Sequence, residues 1–322
     1  MRACAVVIAR MVASVAMAAL IAMAPFCTAF ASDPLSCRAV RLSDIGWTDV
    51  TATTATASRL LTMLGYTPQI RLLSLPVTYI SMKAGSIDAY LGDWEPSGAA
   101  VIKPFLGPGG VERLATNLTG AKYTLAVPSY SYDAGLHDFA DIERFAPGLH
   151  NKIYGLEPGN DGNTLILGML RTNRFGLGHF TLVESSEQGM LSQYARVVAR
   201  KRPILILAWE PHPMNLHFQL RYLSGGDAVF GPNFGGATVN TIIRPHYAAD
   251  CPNVVRLLRQ MRFSVTGESA MMAAILDKHE TPDHVGHDWL AANPDLLAAW
   301  LAGVTTLNGQ PALDAVLPML KG

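Results

Sequence analysis

Charge is scarce in this chain: 16% of its 322 residues are Asp, Glu, Lys or Arg, and 25 basic residues balance 25 acidic ones. No basic arm or patch recommends a nucleic acid as partner. The nine histidines show neither a zinc-protease nor a Cys2His2 spacing. His284 and His287, three apart in "HVGHDW", come nearest to a metal pair, and an exposed terminal helix accounts for them. No Gly-x-Ser-x-Gly elbow occurs, and the glycines of "GPGGVE" and "SGGDAVFGPNFGG" match no phosphate loop. Ser185 and Ser186 in "ESSEQGM" have no defined base. Solenoid repeats and low-complexity tracts are missing as well. What remains is an ordered chain, half of it apolar, able to bury one large core or two modest ones.

Residues 1–31 read as an export signal. Arg2 and Arg10 charge the start, "MVASVAMAALIAMAPF" supplies the apolar stretch, and Ala29 to Ala31 offer a small-residue cleavage site before Ser32. The apolar run is nearly long enough for a membrane anchor, but Pro25 and the cleavage site follow it directly. Cys27 suggests a lipid-anchored variant, against which Phe26 stands where a small residue is wanted. The mature chain would carry 23 basic and 25 acidic residues, a net charge near −2. It would keep two of the four cysteines, Cys37 and Cys251. In an oxidising compartment such a pair is usually a disulfide; two separate buried thiols are the rival reading.

The body alternates β-branched or apolar runs with amphipathic ones, the pattern of an α/β protein with mostly parallel strands. Strands are expected in "CRAVRLSDI", "IRLLSLP", "DAYLGDW", "KYTLAVP", "KIYGLEP", "FTLVESS" and "PILILAW". Helices are expected over residues 51–64, 77–84, 138–145, 163–173 and 188–200. After the glycine-rich "FGPNFGG" the chain turns mainly helical, and Trp289 and Trp300 there read as core packing.

The other three of the five tryptophans stand where a strand-like run gives way to a turn: Trp47 after "SDIG", Trp94 after "LGD", Trp209 after "ILILA". Ligands of α/β sheets bind beyond the carboxyl ends of the strands, so these rings point to a shared cleft, with Tyr123 as a fourth. Aromatic faces without basic residues suit a cation that cannot donate hydrogen bonds, and quaternary ammonium is the known case. Asp49, Asp93 and Asp161 lie close by in sequence; helix capping is the plainer role for Asp49 and Asp161. Trp94 and Trp209 each open a Trp-Glu-Pro triplet. Pro96 and Pro211 are expected to stiffen the turns, and Glu95 and Glu210 to be exposed residues near a helix start.

The stretches "RLSDIGWTDVTATTATASRLLTMLGY", "LEPGNDGN", "VESSEQGM", "LAWEPHPMN" and "YLSGGDAVFGPNFGGATV" together resemble the periplasmic choline-binding proteins of ABC importers, within the glycine betaine and proline betaine binding family. The resemblance implies a two-lobed periplasmic binding protein fold of type II, closing across a hinge. Lobe I would comprise residues 32–121 and a mainly helical return over 232–322, and lobe II residues 122–231. It implies an aromatic box of Trp47 and Trp94 from lobe I with Tyr123 and Trp209 from lobe II. Asp49 would supply the compensating charge, Asn160 would hydrogen-bond the choline hydroxyl, and Cys37 and Cys251 would form the family's disulfide.

No cofactor or metal is expected. The expected partners are choline, with acetylcholine or betaine held more weakly, and a permease at the inner membrane; the protein would act as a periplasmic monomer. Glycine betaine is the alternative ligand, because its carboxylate would seek Lys122, Lys152 or His212. Asp49 beside the box argues for a net cation, and His212 between two prolines reads as a turn residue. A secreted hydrolase of choline esters is the distant alternative, and it lacks a nucleophile.

Overall fold

The computed structural model describes residues 32–321, so the proposed export signal lies outside the described residues. Among the described residues nine strands, β1 (Ala39–Asp44), β2 (Thr67–Leu72), β3 (Ala89–Glu95), β4 (Glu112–Pro128), β5 (Lys152–Tyr154), β6 (Thr181–Val183), β7 (Ile206–Glu210), β8 (Leu220–Tyr222) and β9 (Gly236–Ile243), form one sheet in the order β2-β1-β3-β9-β4-β7-β5-β6, with β8 also paired to β4. β1 runs parallel to both β2 and β3. β5 runs parallel to both β6 and β7. The parallel pairings implied by the alternation thus occupy the two ends of the sheet, and its centre is antiparallel.

That centre consists of β4 and β9. β4 pairs with β9 from Glu112 to Lys122, then with β7 from Lys122 to Ala126, and finally with β8. β9 also pairs with β3. Three register shifts interrupt the β4–β9 ladder. At one of them Gly120 has φ +80°, which glycine adopts without strain.

The first crossover is α1 (Thr48–Met63), rich in Thr and Ala. Threonine is a middling helix former, but here three of the hydroxyls, those of Thr53, Thr56 and Thr62, bond back to carbonyls of the preceding turn. Thr53 Oγ1 donates to the Asp49 carbonyl at 3.0 Å and Thr56 Oγ1 to the Ala52 carbonyl at 2.8 Å. The small side chains let other helices approach: a Cβ on Gly286 would lie 3.0 Å from Thr56 Cα. The longer helices that follow are α2 (Leu75–Lys83), α3 (Asp161–Arg171) and α4 (Glu187–Val198). The carboxyl-terminal part supplies α5 (Pro252–Gln260), α6 (Val265–Leu276), α7 (Pro282–Ala292) and α8 (Pro294–Trp300). Proline at the first turn of α5, α7 and α8 suits positions whose N–H has no partner in the helix. Trp300 is buried and stacks on Trp289 at 5.3 Å, with Phe263 5.1 Å from Trp300, a core role for both tryptophans. Cys37 and Cys251 form a disulfide with Cα atoms 5.7 Å apart, tying the chain before β1 to the start of α5.

Several expectations need correction. Residues 138–145 hold two 3-10 turns in place of one helix; Pro147, which has no N–H to donate, sits in the first turn of a separate short helix, Ala146–Leu149. β2 begins at Thr67, three residues before "IRLLSLP", as an exposed strand at the sheet edge where Pro68 is tolerated. β9, β8 and the first half of β4 were not expected as strands.

Candidate binding site

Three strand ends deliver four of the six predicted residues. β1 ends at Asp44, the chain turns through Gly46, and Trp47 is the N-cap of α1, with Asp49 in the first turn. β3 ends at Trp94–Glu95 and β7 at Trp209–Glu210, each followed by a cis peptide to proline. Tyr123 on β4 is the direct cross-strand partner of Trp209. The Tyr123 ring lies 5.7 Å from Trp94 and 6.5 Å from Trp209. Behind it Phe230 packs edge-on at 6.4 Å.

Asp49 and Asn160 attach to this trio through hydrogen bonds. Trp94 Nε1 donates to Asp49 Oδ2 at 3.1 Å. The Tyr123 hydroxyl donates to Asn160 Oδ1 at 3.0 Å, and Asn160 Oδ1 also accepts from the Asn163 N–H, making Asn160 the N-cap of α3. The cap is therefore Asn160 and not Asp161, which lies inside the first turn. Trp47 joins by another route, its Nε1 donating to Glu157 Oε1 at 2.9 Å, three residues before Asn160. All six predicted site residues are buried. Two polar groups in this cluster are buried without a partner: Asp49 Oδ1, an acceptor, and Asn160 Nδ2, a donor. Such atoms are costly unless something meets them.

The electrostatics favour a positive guest. Burial, with the charge of Glu187 second, pushes the Asp49 carboxyl up to about 7. Burial likewise raises Asp161 to about 6, opposed mainly by a hydrogen bond from Ser97. Glu157 is raised by burial as well, and Glu268 on α6 far more so, by burial and then by the charge of Asp49. A cation held here would relieve several desolvated acids together. The cations of the adjoining strands are engaged: Arg113 pairs with Asp93 and Glu95, and Lys122 with Glu210 at 3.2 Å. These pairs also correct the reading of Glu95 and Glu210. Both are half-buried strand-end residues held by cations of the long strand that contains Arg113 and Lys122, and neither begins a helix.

Glu157, Glu187 and Phe230 were missed. His212, read as a turn residue, is buried beside Trp209 at 4.8 Å and bonded to Glu187. Ser186 is the N-cap of α4, a structural duty. His284 and His287 lie on α7, where both pair with Asp288, and no metal-binding group occurs among the described residues.

Residues 38–292 match the family model described as the substrate-binding domain of ABC-type glycine betaine transport systems. The chain belongs to that family of transport proteins, and its fold is that of the type II periplasmic binding proteins. It is similar to a solved ABC-transporter choline-binding protein in complex with choline: 50% identity, TM-score 0.88, covering 89% of this chain and 100% of that one. An unliganded, semi-closed structure of an ABC-transporter choline-binding protein matches at 50% identity and TM-score 0.82, covering 88% and 99%. An uncharacterized protein of Chromohalobacter salexigens is 48% identical over 138 residues, which is 43% of this chain and 87% of that relative.

Proposed function

We propose that this protein captures choline in an aromatic box between two closing lobes and delivers it to an ABC transporter. The observation that carries the reading is Asp49: buried, with one unpartnered oxygen, and bonded to Trp94 beside Tyr123 and Trp209. A trimethylammonium group presents no N–H and is attracted by ring faces and by the carboxylate together. Asn160 Nδ2 would donate to the choline hydroxyl. Trp47 would complete the box, its indole fixed by Glu157.

Lobe I would comprise residues 32–121 and 232–322 and lobe II residues 122–231, with the hinge where β4 changes partner at Lys122. The closer fit to the choline-bound relative than to the semi-closed one, 0.88 against 0.82, supports a closed arrangement. Magnitudes require closure. Choline has about seven heavy atoms, which at a ceiling of about 1.5 kcal/mol each allow about 10 kcal/mol. Micromolar affinity takes about 8 kcal/mol of that, so nearly every ligand atom must be enclosed.

The same reading places the protein in the periplasm after removal of residues 1–31, as a monomer that meets a permease and performs no catalysis. Glycine betaine is the second reading, favoured by the family description. Its carboxylate would face Asp49 and Asp161, while Lys122 and His212 are already engaged. Tryptophan fluorescence titration with choline and with its neutral carbon analogue, in which carbon replaces nitrogen, tests the charge argument. Saturable binding of choline alone is expected; equal binding of the analogue would reduce the box to a hydrophobic pocket.

A further inference from the structure

Glu187 opens α4, and its side chain is fully enclosed. It belongs to none of the ring contacts of the box, yet three donors converge on it. The Thr48 N–H donates to Oε2 at 2.9 Å and the Thr48 hydroxyl to Oε1 at 2.7 Å. His212 Nε2 lies 3.1 Å from Oε1. The His212 tautomer follows from its other nitrogen: the Met214 N–H donates to Nδ1 at 2.8 Å. Nδ1 is therefore the acceptor, and Nε2 carries the proton given to Glu187.

Thr48 is the first residue of α1, and its N-cap, Trp47, offers no side-chain cap. The free N–H groups and positive dipole end of this sixteen-residue helix are met instead by a carboxylate 139 residues further along. Glu187 thereby fixes the Trp47–Asp49 turn against the turn that follows Trp209.

We infer that Glu187 is a positioning residue, a latch that holds the closed state by capping α1 across the cleft while His212 orients it from its own side. This rests on the two-lobed, choline-binding reading above. In an open molecule Thr48 and Glu187 part and α1 loses its cap. Closing desolvates the acid and returns two charge-assisted hydrogen bonds. A contact made only after closure governs release more than capture.

Stopped-flow fluorescence of choline binding to the purified protein separates the two rates. Glu187→Ala should speed release by about tenfold to a hundredfold, as expected for losing one or two hydrogen bonds to a charged group. Association should stay within about threefold, the usual narrow range for variants of one site. The melting temperature should fall in the choline-saturated protein and hold in the ligand-free one. Glu187→Gln, which keeps a hydrogen-bonding oxygen, should recover part of the loss. Adding Thr48→Val to Glu187→Ala should cost little more than Glu187→Ala alone. Release at the wild-type rate, or an equal loss of stability with and without choline, overturns the latch and leaves choline binding standing. A wild-type protein that takes up no choline overturns the binding reading and the latch with it.

Discussion

Replacing Asp49 by Asn should weaken the protein's hold on choline while making the ligand-free protein more stable. Asn keeps the shape and a carbonyl oxygen for the Trp94 Nε1–H, now 3.1 Å from Asp49 Oδ2, so charge is the main loss. A cation about 5 Å from the carboxylate, at an effective dielectric constant of about 20, gains about 3 kcal/mol. Losing that costs roughly a hundredfold in affinity. The stability effect has the opposite sign. Asp49 is pushed up to about 7 by burial and then by Glu187, so the folded protein binds its proton more tightly than the unfolded chain does. Its contribution is present at acid pH and is lost as pH rises from about 4 to about 7. A pKa raised that far corresponds to at most about 4 kcal/mol of destabilisation above about pH 7, the whole of it only while Glu187 faces Asp49 across the closed cleft. Calorimetric titration and thermal melts at about pH 8 read both effects. Asp49→Asn should bind choline roughly a hundredfold more weakly and melt higher than wild type without ligand. Unchanged affinity, or a lower ligand-free melting point, would mean that the Asp49 charge does neither.

Choline affinity should fall with acidity, by about tenfold per pH unit below about 7, because Asp49 must lose its proton to face the cation; a flat calorimetric profile between about pH 5 and 8 would count against that. Trp94→Ala and Trp209→Ala should each remove a ring worth up to about 2 kcal/mol of cation-π attraction, roughly thirtyfold in Kd by fluorescence or calorimetric titration. Reducing the Cys37–Cys251 bridge should cost about 2 to 5 kcal/mol of stability, seen as a lower melting temperature with reductant, while choline still binds at room temperature.

The crossover units were legible because each apolar run meets its helix across a plain turn. The two strands that join the halves of the sheet were not, and their side chains explain why. Asn117 Nδ2 on β4 donates to the Leu91 carbonyl and to Thr241, and Asn240 on β9 bonds Thr116 and Asp93. Polar residues satisfied by one another break the apolar signature of a buried strand, and Gly120 adds a bulge. Within the site, the aromatic residues stood out because each Trp lies at a strand end or in the turn that follows one. Glu187 and Glu157 did not, since an acid at a helix start or a turn ordinarily faces water. Only the fold brings Glu187 to Thr48 and Glu157 to Trp47. The pairs Glu95–Arg113 and Glu210–Lys122 were invisible for the same reason, being contacts between strands.

A buried carboxylate within an aromatic box should select a quaternary cation bearing no anionic group. Calorimetric titration of the purified protein with choline, and separately with glycine betaine, measures that selection. Choline should bind tightly at 1:1 and betaine much more weakly. Tighter binding of betaine, or no heat from either ligand, would contradict it.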